Sequence, residues 1–586
     1  MQNQNRQPFL IGRASITAAM LVAAILGIVA FIPSVDNQFV YDDLPAIVEN
    51  PLVTQPGPWY RFWREPYWPR GVSIDKLYRP LTTWSFRANV VLSGKDRPDA
   101  RSFHLANLAL HALTGAGVAL LAWRVTGRAW AAWLAGILFA VHPLHTEAVV
   151  TGYGRSELLA ALFGVWLMAR YVRPGQVDSG FRVEASAEGR GTRDEGREKG
   201  AEGPREGTAP AEGESGAAAG SASGHRSLRT AWFHVINAVL LLLAVMSKEH
   251  SLLVWPGLML YDGWRYRRMR GADGEVRRQW FNERIAPAHL GFILATTVFF
   301  LLRFSVFGEH YRMNPTSMRV WENPVGHATL IEHLLTPFRL LWLTLEIIVW
   351  PRRLCPIWSI PAVSLPNGPA PDVVAGMLLL ALLVTLSVVM WRRGSALGAL
   401  LGGLLILLAI PVHALPMANW LYAERWLYLP STLMAVLVAA ALARVPVAGW
   451  ALGLAAAGVL LPASWQYGPK FANNLIMNQE VIERQPDNFQ GRRNLALAYY
   501  QQNAYREAIA AAREVVERFG PVVGDPYWVL IQSHLALGEG REAMEAINTY
   551  EWIRRDLPGT SLSRERERAE ALLTAEASES RPAERP

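Results

Sequence analysis

Two adjacent carboxylates, Asp42 and Asp43, follow the first long apolar run of the chain, Ala14 to Pro33, within NQFVYDDLPAIVENP. About 20 apolar residues suffice for a helix to cross the hydrocarbon core of a bilayer. The pair therefore stands where the chain leaves the membrane on its far side, and an acid at that boundary is placed for chemistry on a lipid-carried substrate. Consecutive residues of an extended segment point to opposite sides, so the two acids are not expected to share one task. The plainer account of Asp-Asp after an apolar run is a solvated turn or a helix cap.

Cations that suit such a substrate recur elsewhere. Arg79, in Tyr78-Arg79-Pro80, belongs to the same external loop, and Arg425, in Glu424-Arg425, opens a late span from the same side. A guanidinium can hold two phosphate oxygens at once and keeps its charge in a poor solvent; the alternative is a snorkelling or paired interfacial arginine. The run His142-Pro143-Leu144-His145-Thr146-Glu147 offers two imidazoles and a carboxylate, which could chelate a divalent metal. Pro143 breaks the helix that would align them and no fourth ligand is evident, so a hydrogen-bonded mouth to a substrate cavity is preferred. Arg155 with Glu157, and Lys248 with Glu249, read either as site residues or as ion pairs at helix starts. His104 and His111, seven apart, fit packing on one helical face.

These residues need elements to hold them. The chain of 586 residues is 51% hydrophobic and 18% charged, with mean hydropathy +0.13, and its apolar residues fall in blocks long enough to span. Spans are expected near 14–33, 104–123, 129–146, 151–172, 230–246, 249–264, 286–306, 372–391, 396–416, 427–443 and 446–464, about eleven in all. With Arg6 and Arg13 inside, the arginines of 265–284 and Arg392 with Arg393 are also inside, while Asp42 lies outside. The net charge of +8 is thus explained by loops beside the membrane rather than by nucleic acid. More hydrophobic segments follow the first run, which favours an uncleaved anchor over a signal peptide. One cysteine, Cys355, excludes an intramolecular disulfide framework, and no Walker-type glycine loop is visible.

Three stretches depart from this plan. Residues 331–350 are apolar enough to span but carry Glu332, His333, Arg339 and Glu346, so they are expected to lie in the outer interface or to be re-entrant. Residues 173–228 read as a disordered cytoplasmic loop, since their low apolar content cannot offset the entropy of ordering. Beyond about Lys470 a repeat emerges: Tyr505-Arg506-Glu507-Ala508 aligns with Gly540-Arg541-Glu542-Ala543, a period of about 35 and close to the tetratricopeptide length. The expected division is a membrane domain over 1–468, with 34–103 as its first external loop, and a tetratricopeptide repeat domain over 469–586. The fold class is all-α.

VYDDLPAIVENP, LYRPLTTWSFRAN, FHLANLALHAL, FAVHPLHTEAVVTGYGRSELLA, MSKEHSLL and AERWLYLPS, in that order, resemble the transmembrane and TPR-repeat O-mannosyltransferase (TMTC) family of the GT-C glycosyltransferase superfamily. The resemblance implies an enzyme that moves a sugar, mannose in that family, from a polyprenyl-phosphate donor to a Ser or Thr hydroxyl of a protein acceptor on the non-cytoplasmic face. It also implies an acid of the first external loop as general base, here Asp42, with Asp43 positioning it or a metal. Tyr78, Arg79, His142, His145, Glu147, Arg155, Glu157, Lys248, Glu249, Glu424 and Arg425 are then expected to line the donor and phosphate site. No cofactor beyond the lipid-linked donor is required, and a divalent metal is left open. The repeats would hold the acceptor outside a bacterial inner membrane, or in the lumen of an endoplasmic reticulum. Two other readings stay open: transfer to a lipid or envelope glycan on the same fold, and a non-catalytic membrane scaffold whose repeats recruit partners.

Overall fold

The computed structural model describes residues 7–69, 76–172, 215–308, 324–359, 363–415, 421–520, 525–554 and 562–579. Regular structure among them is helical, apart from one isolated bridge between Trp358 and Tyr422. Among the described residues seven helices are long and apolar enough to cross a membrane, and an eighth span is formed if Ala129–Ala140 and Pro143–Val150, bent by 51°, count as one. The bend falls at His142-Pro143, where the proline nitrogen has no hydrogen to give to the preceding turn. Three other expected spans are helices of fewer than 18 residues: Arg155–Tyr171, Val254–Arg268 and Ala396–Leu408.

Small residues set the tightest packing. The first helix, Gln7–Phe31, lies against Ala100–Thr126 and Ala129–Ala140. A Cβ on Gly136 would stand 2.8 Å from the Ala23 Cβ and 3.0 Å from that of Ala119. Such contacts let helix backbones approach where lipid offers no hydrophobic drive for association.

Leu330–Val349 is one uninterrupted helix, capped by Thr329 and Glu332 and packed on Pro371–Arg392. Arg339 Nε pairs with Asp372 at 2.7 Å. Of the segment expected to be disordered, 173–214 lie outside the described residues, and 215–228 continue the helix Ser215–Ser247.

The C-terminal stretch forms consecutive helices Asn474–Arg484, Phe489–Gln501, Tyr505–Phe519, Asp525–Leu537, Gly540–Arg554 and Ser563–Glu579, each packed on the next. Ala496, Ala508, Ala512 and Ala543 are buried between them, where a larger side chain would push the pairs apart. The stack docks on the membrane half through its first two helices. Arg484 Nη1 donates to the Arg352 carbonyl at 2.8 Å, and Asn488 Nδ2 donates to that of Ile357 at 2.8 Å.

Candidate active site

The two acids take up different environments, for reasons that lie in the backbone. Tyr41 has a positive φ of 50°, a conformation that a residue with a Cβ adopts only when its surroundings hold it. Here its N–H donates to Asn474 Oδ1 at 2.8 Å, and its ring meets that of Tyr153 edge-on. The turn that follows sends Asp43 inward and leaves Asp42 partly exposed.

Asp43 is fully buried and accepts from two backbone N–H groups, Val40 at 3.1 Å and Tyr153 at 2.6 Å. The second comes from the turn Gly152-Tyr153-Gly154. A Cβ on Gly152 would stand 2.8 Å from Asp43 Oδ1, and one on Gly154 would meet the Ala148 carbonyl oxygen at 2.3 Å, so this turn closes over the carboxyl only with glycine at both places. Burial pushes the Asp43 carboxyl up to about 7, against the N–H donors and with a small contribution from the charge of Asp42. Asp42 lies within electrostatic reach of Tyr67, Tyr153 and Arg425.

Around this pair the ends of several helices bring cations, each held by a carboxylate: Glu147 and Glu157 are buried, and Glu249 is partly exposed. Glu147 binds Arg425 twice, through the guanidinium Nη1 and through the backbone N–H at 2.9 Å. The Arg425 guanidinium also lies over the Tyr153 ring, 5.0 Å from its centre, and the Tyr153 hydroxyl donates to Glu147 at 3.3 Å. Arg79 Nε donates to Glu249 at 3.1 Å, Arg303 stands 3.7 Å from the same carboxylate, and the Tyr78 N–H donates to it at 3.2 Å. Lys248 pairs with Glu157, whose other oxygen is 3.3 Å from His250. Burial pushes the Lys248 ammonium down to about 8 against the pull of Glu157, and the charges of Arg79 and Arg425 act on it as well. The side chains of Arg79 and Arg425 keep 12% and 14% of their surface exposed, enough to meet a ligand.

Other expected site residues are engaged elsewhere. Arg155 does not pair with Glu157. It is buried among neutral groups, with Nε on Asn107 at 2.8 Å, Nη2 on Asn89 at 2.8 Å and on the Phe103 carbonyl at 3.0 Å, and its guanidinium over the Phe103 ring. It ties the external loop to the bundle. Glu424 turns away from its neighbour Arg425 to accept from the Trp358 indole at 3.2 Å and from the Cys355 N–H. His142 Nε2 meets the Ile348 carbonyl at 3.1 Å, and His145 Nε2 meets Ser431 at 2.9 Å. The His-Pro-Leu-His-Thr-Glu donors thus diverge, and among the described residues no group of three or more His, Cys, Asp or Glu is arranged to hold a metal ion. His104 and His111 bind the Asn37 carbonyl and the Tyr428 hydroxyl, as packed polar groups do.

Tyr67, Tyr153, His250 and Arg303 were not singled out in the sequence. Arg303 carried a usable signal, being a lone cation inside an apolar run. Tyr153 lay within a quoted motif but shows its role only through contacts.

No family model matches the chain. Over about its N-terminal quarter the chain is distantly homologous to the TMTC protein O-mannosyltransferases. It is 39% identical over 163 residues to the human protein O-mannosyl-transferase TMTC4, covering 25% of this chain and 22% of that protein. It is 31% identical over 188 residues to the protein O-mannosyl-transferase F38B6.6 of Caenorhabditis elegans, covering 30% and 26%. The matches therefore span about a quarter of the length of these curated relatives. Among solved structures, the archaeal oligosaccharyltransferase AglB from Archaeoglobus fulgidus, in complex with an inhibitory peptide and a dolichol-phosphate, aligns over 84% of this chain and 59% of its own at 13% identity and TM-score 0.39. That likeness is too loose to argue from.

Proposed function

We propose that this chain, a distant homologue of the TMTC protein O-mannosyltransferases, is a GT-C-type glycosyltransferase that moves a sugar, mannose in the first instance, from a polyprenyl-phosphate carrier to Ser or Thr hydroxyls of proteins on the non-cytoplasmic face. The observation that carries the reading is the placement of partly exposed Asp42 within electrostatic reach of Arg425, with Arg79 and Lys248 in the same cluster. In the reaction Asp42 takes the proton of the acceptor hydroxyl as its oxygen attacks the anomeric carbon. The bond from that carbon to the phosphate oxygen breaks, inverting the centre, and the lipid phosphate leaves with the electron pair. Arg79 and Arg425 are oriented by Glu249 and Glu147, and their remaining N–H groups are suited to the charge that develops on that phosphate.

The buried acid serves differently. Asp43 is fully buried and each of its oxygens already accepts a backbone N–H, from Val40 and from Tyr153, so it presents no open face to an acceptor hydroxyl. Asp43 therefore positions the turn that carries Asp42. No step here is routed through a metal. The helical stack from Asn474 onward is a tetratricopeptide array in this reading and presents a surface for the protein acceptor.

Purified protein in detergent, given polyprenyl-phosphate carrying radiolabelled mannose and a panel of extracellular proteins, tests the assignment. Asp42→Asn is expected to lower transfer by roughly 10²- to 10⁴-fold with folding preserved. Unchanged transfer in Asp42→Asn would remove Asp42 as base, and label recovered only in lipid or glycan would move the acceptor to that class.

A further inference from the structure

At the opposite end of the same helices lies a cavity remote from the residues assigned to glycosyl transfer. Arg155 and Tyr171 begin and end one helix, and 16 residues of rise at about 1.5 Å each separate the two ends by roughly 24 Å. Beside Tyr171 a cavity of about 690 Å³ opens between Val254–Arg268 and the start of Ala286–Phe307, lined by Met259, Asp262, Arg277, Arg278, Trp280 and Phe281, among others. Its size suits a drug-sized or headgroup-sized ligand.

The polar groups in it are built in. Asp262 is almost wholly buried, and its Oδ2 accepts from the Tyr171 hydroxyl at 2.5 Å and lies 3.1 Å from His289 Nε2. His289 is oriented from behind by the Trp255 indole, which donates to its Nδ1 at 2.9 Å. The other oxygen, Oδ1, is buried without a hydrogen-bond partner among the described residues, and the nearest cation, Arg265, stands 4.0 Å away. A buried carboxylate oxygen in that state lacks a donor that a ligand can supply. Neighbouring arginines of this basic stretch are occupied: Arg265 lies over the Trp280 ring, Arg267 lies over that of Trp391, and Arg268 binds the Gly394 carbonyl. Arg277 instead has a buried Nε without a hydrogen-bond partner among the described residues, and Arg278 is exposed. Met259, Tyr266 and Phe281 at the rim are exposed apolar side chains, which suits an opening toward lipid.

We infer that this cavity binds a phospholipid whose headgroup carries both a phosphate and a hydrogen-bond donor. The phosphate meets Arg277 and Arg278, a headgroup hydroxyl or ammonium donates to Asp262 Oδ1, and the acyl chains run along Met259 and Phe281. Free phosphate shares only the first of these contacts.

Native mass spectrometry of the full chain released from detergent, with phosphatidylglycerol, phosphatidylcholine or inorganic phosphate added, tests the site. The expected result is retention of phosphatidylglycerol at least tenfold above phosphatidylcholine, whose headgroup has no hydrogen-bond donor. That preference should fall severalfold in Arg277→Gln/Arg278→Gln, whose changes lie away from the packed core, and also in Asp262→Asn. Equal retention of the two lipids, or phosphatidylglycerol held as well by the double arginine variant, would overturn the inference. Inorganic phosphate competing as effectively as the lipid would reassign the site to a soluble anion and overturn the lipid source.

Discussion

Asp43 shows how a single carboxyl can be read through its proton. Its pKa is raised from the ordinary 3.8 to about 7, chiefly by burial. Between those values the folded chain holds a proton that the unfolded chain has released. Its contribution to stability is therefore complete below the ordinary value and is lost as pH rises through about 7. A rise of that size corresponds to roughly 4 kcal/mol. The thermal midpoint of the wild type in detergent should fall between pH 5 and pH 8, and Asp43→Asn should show a much flatter profile. Equal slopes would mean that Asp43 is ionised throughout. The adjacency of the two acids was legible in the sequence, as was their pointing to different sides. Which one faces inward was not, because it depends on the Gly152-Tyr153-Gly154 turn about a hundred residues away closing on one of them.

Among the elements, the apolar blocks marked nearly every helix of the membrane half, because a lipid-facing surface excludes polar residues as strictly as a protein core does. Pairing between helices was less accessible. Arg155 and Glu157 read as partners from their spacing, yet both lie in the first turn of one helix. Residues two apart do not face each other there, so Arg155 turns to Asn107 and Asn89 while Glu157 turns to Lys248. The Glu147 to Arg425 pair joins the bend after His142 to the start of a distant helix. Removing one partner of a buried pair typically costs about 3–5 kcal/mol. Glu147→Gln is expected to lower the unfolding midpoint and the rate of transfer together. Tyr153→Phe removes only the weaker 3.3 Å bond and should leave the midpoint nearly unchanged. Comparable losses in the two variants would show that the Tyr153 hydroxyl, and not the ion pair alone, holds this corner.

For the whole molecule, the repeat period of about 35 says nothing of how the C-terminal helical stack meets the membrane half. The acid-bearing loop is fastened at three points to residues 468–474, which lead into the first stacked helix. Asn37 Nδ2 donates to the Gly468 carbonyl at 3.1 Å, the Gln38 N–H to that of Ala472 at 2.8 Å, and the Tyr41 N–H to Asn474 Oδ1. Asn474→Ala withdraws the acceptor that holds Tyr41 in its unfavourable backbone conformation. Transfer to a short peptide should then drop about as much as transfer to an intact protein, by roughly tenfold for 1.4 kcal/mol of lost positioning. A defect confined to the large acceptor would show instead that the stack serves only to hold it.

The same fastening limits how such a chain can be taken apart or recombined. A tail exchanged between relatives at a boundary near residue 468 would bring a foreign partner to Tyr41, and the acid beside it would lose its register even if both halves folded. The interchangeable unit therefore runs across the apparent boundary: residues 37–43 have to travel with 468–474.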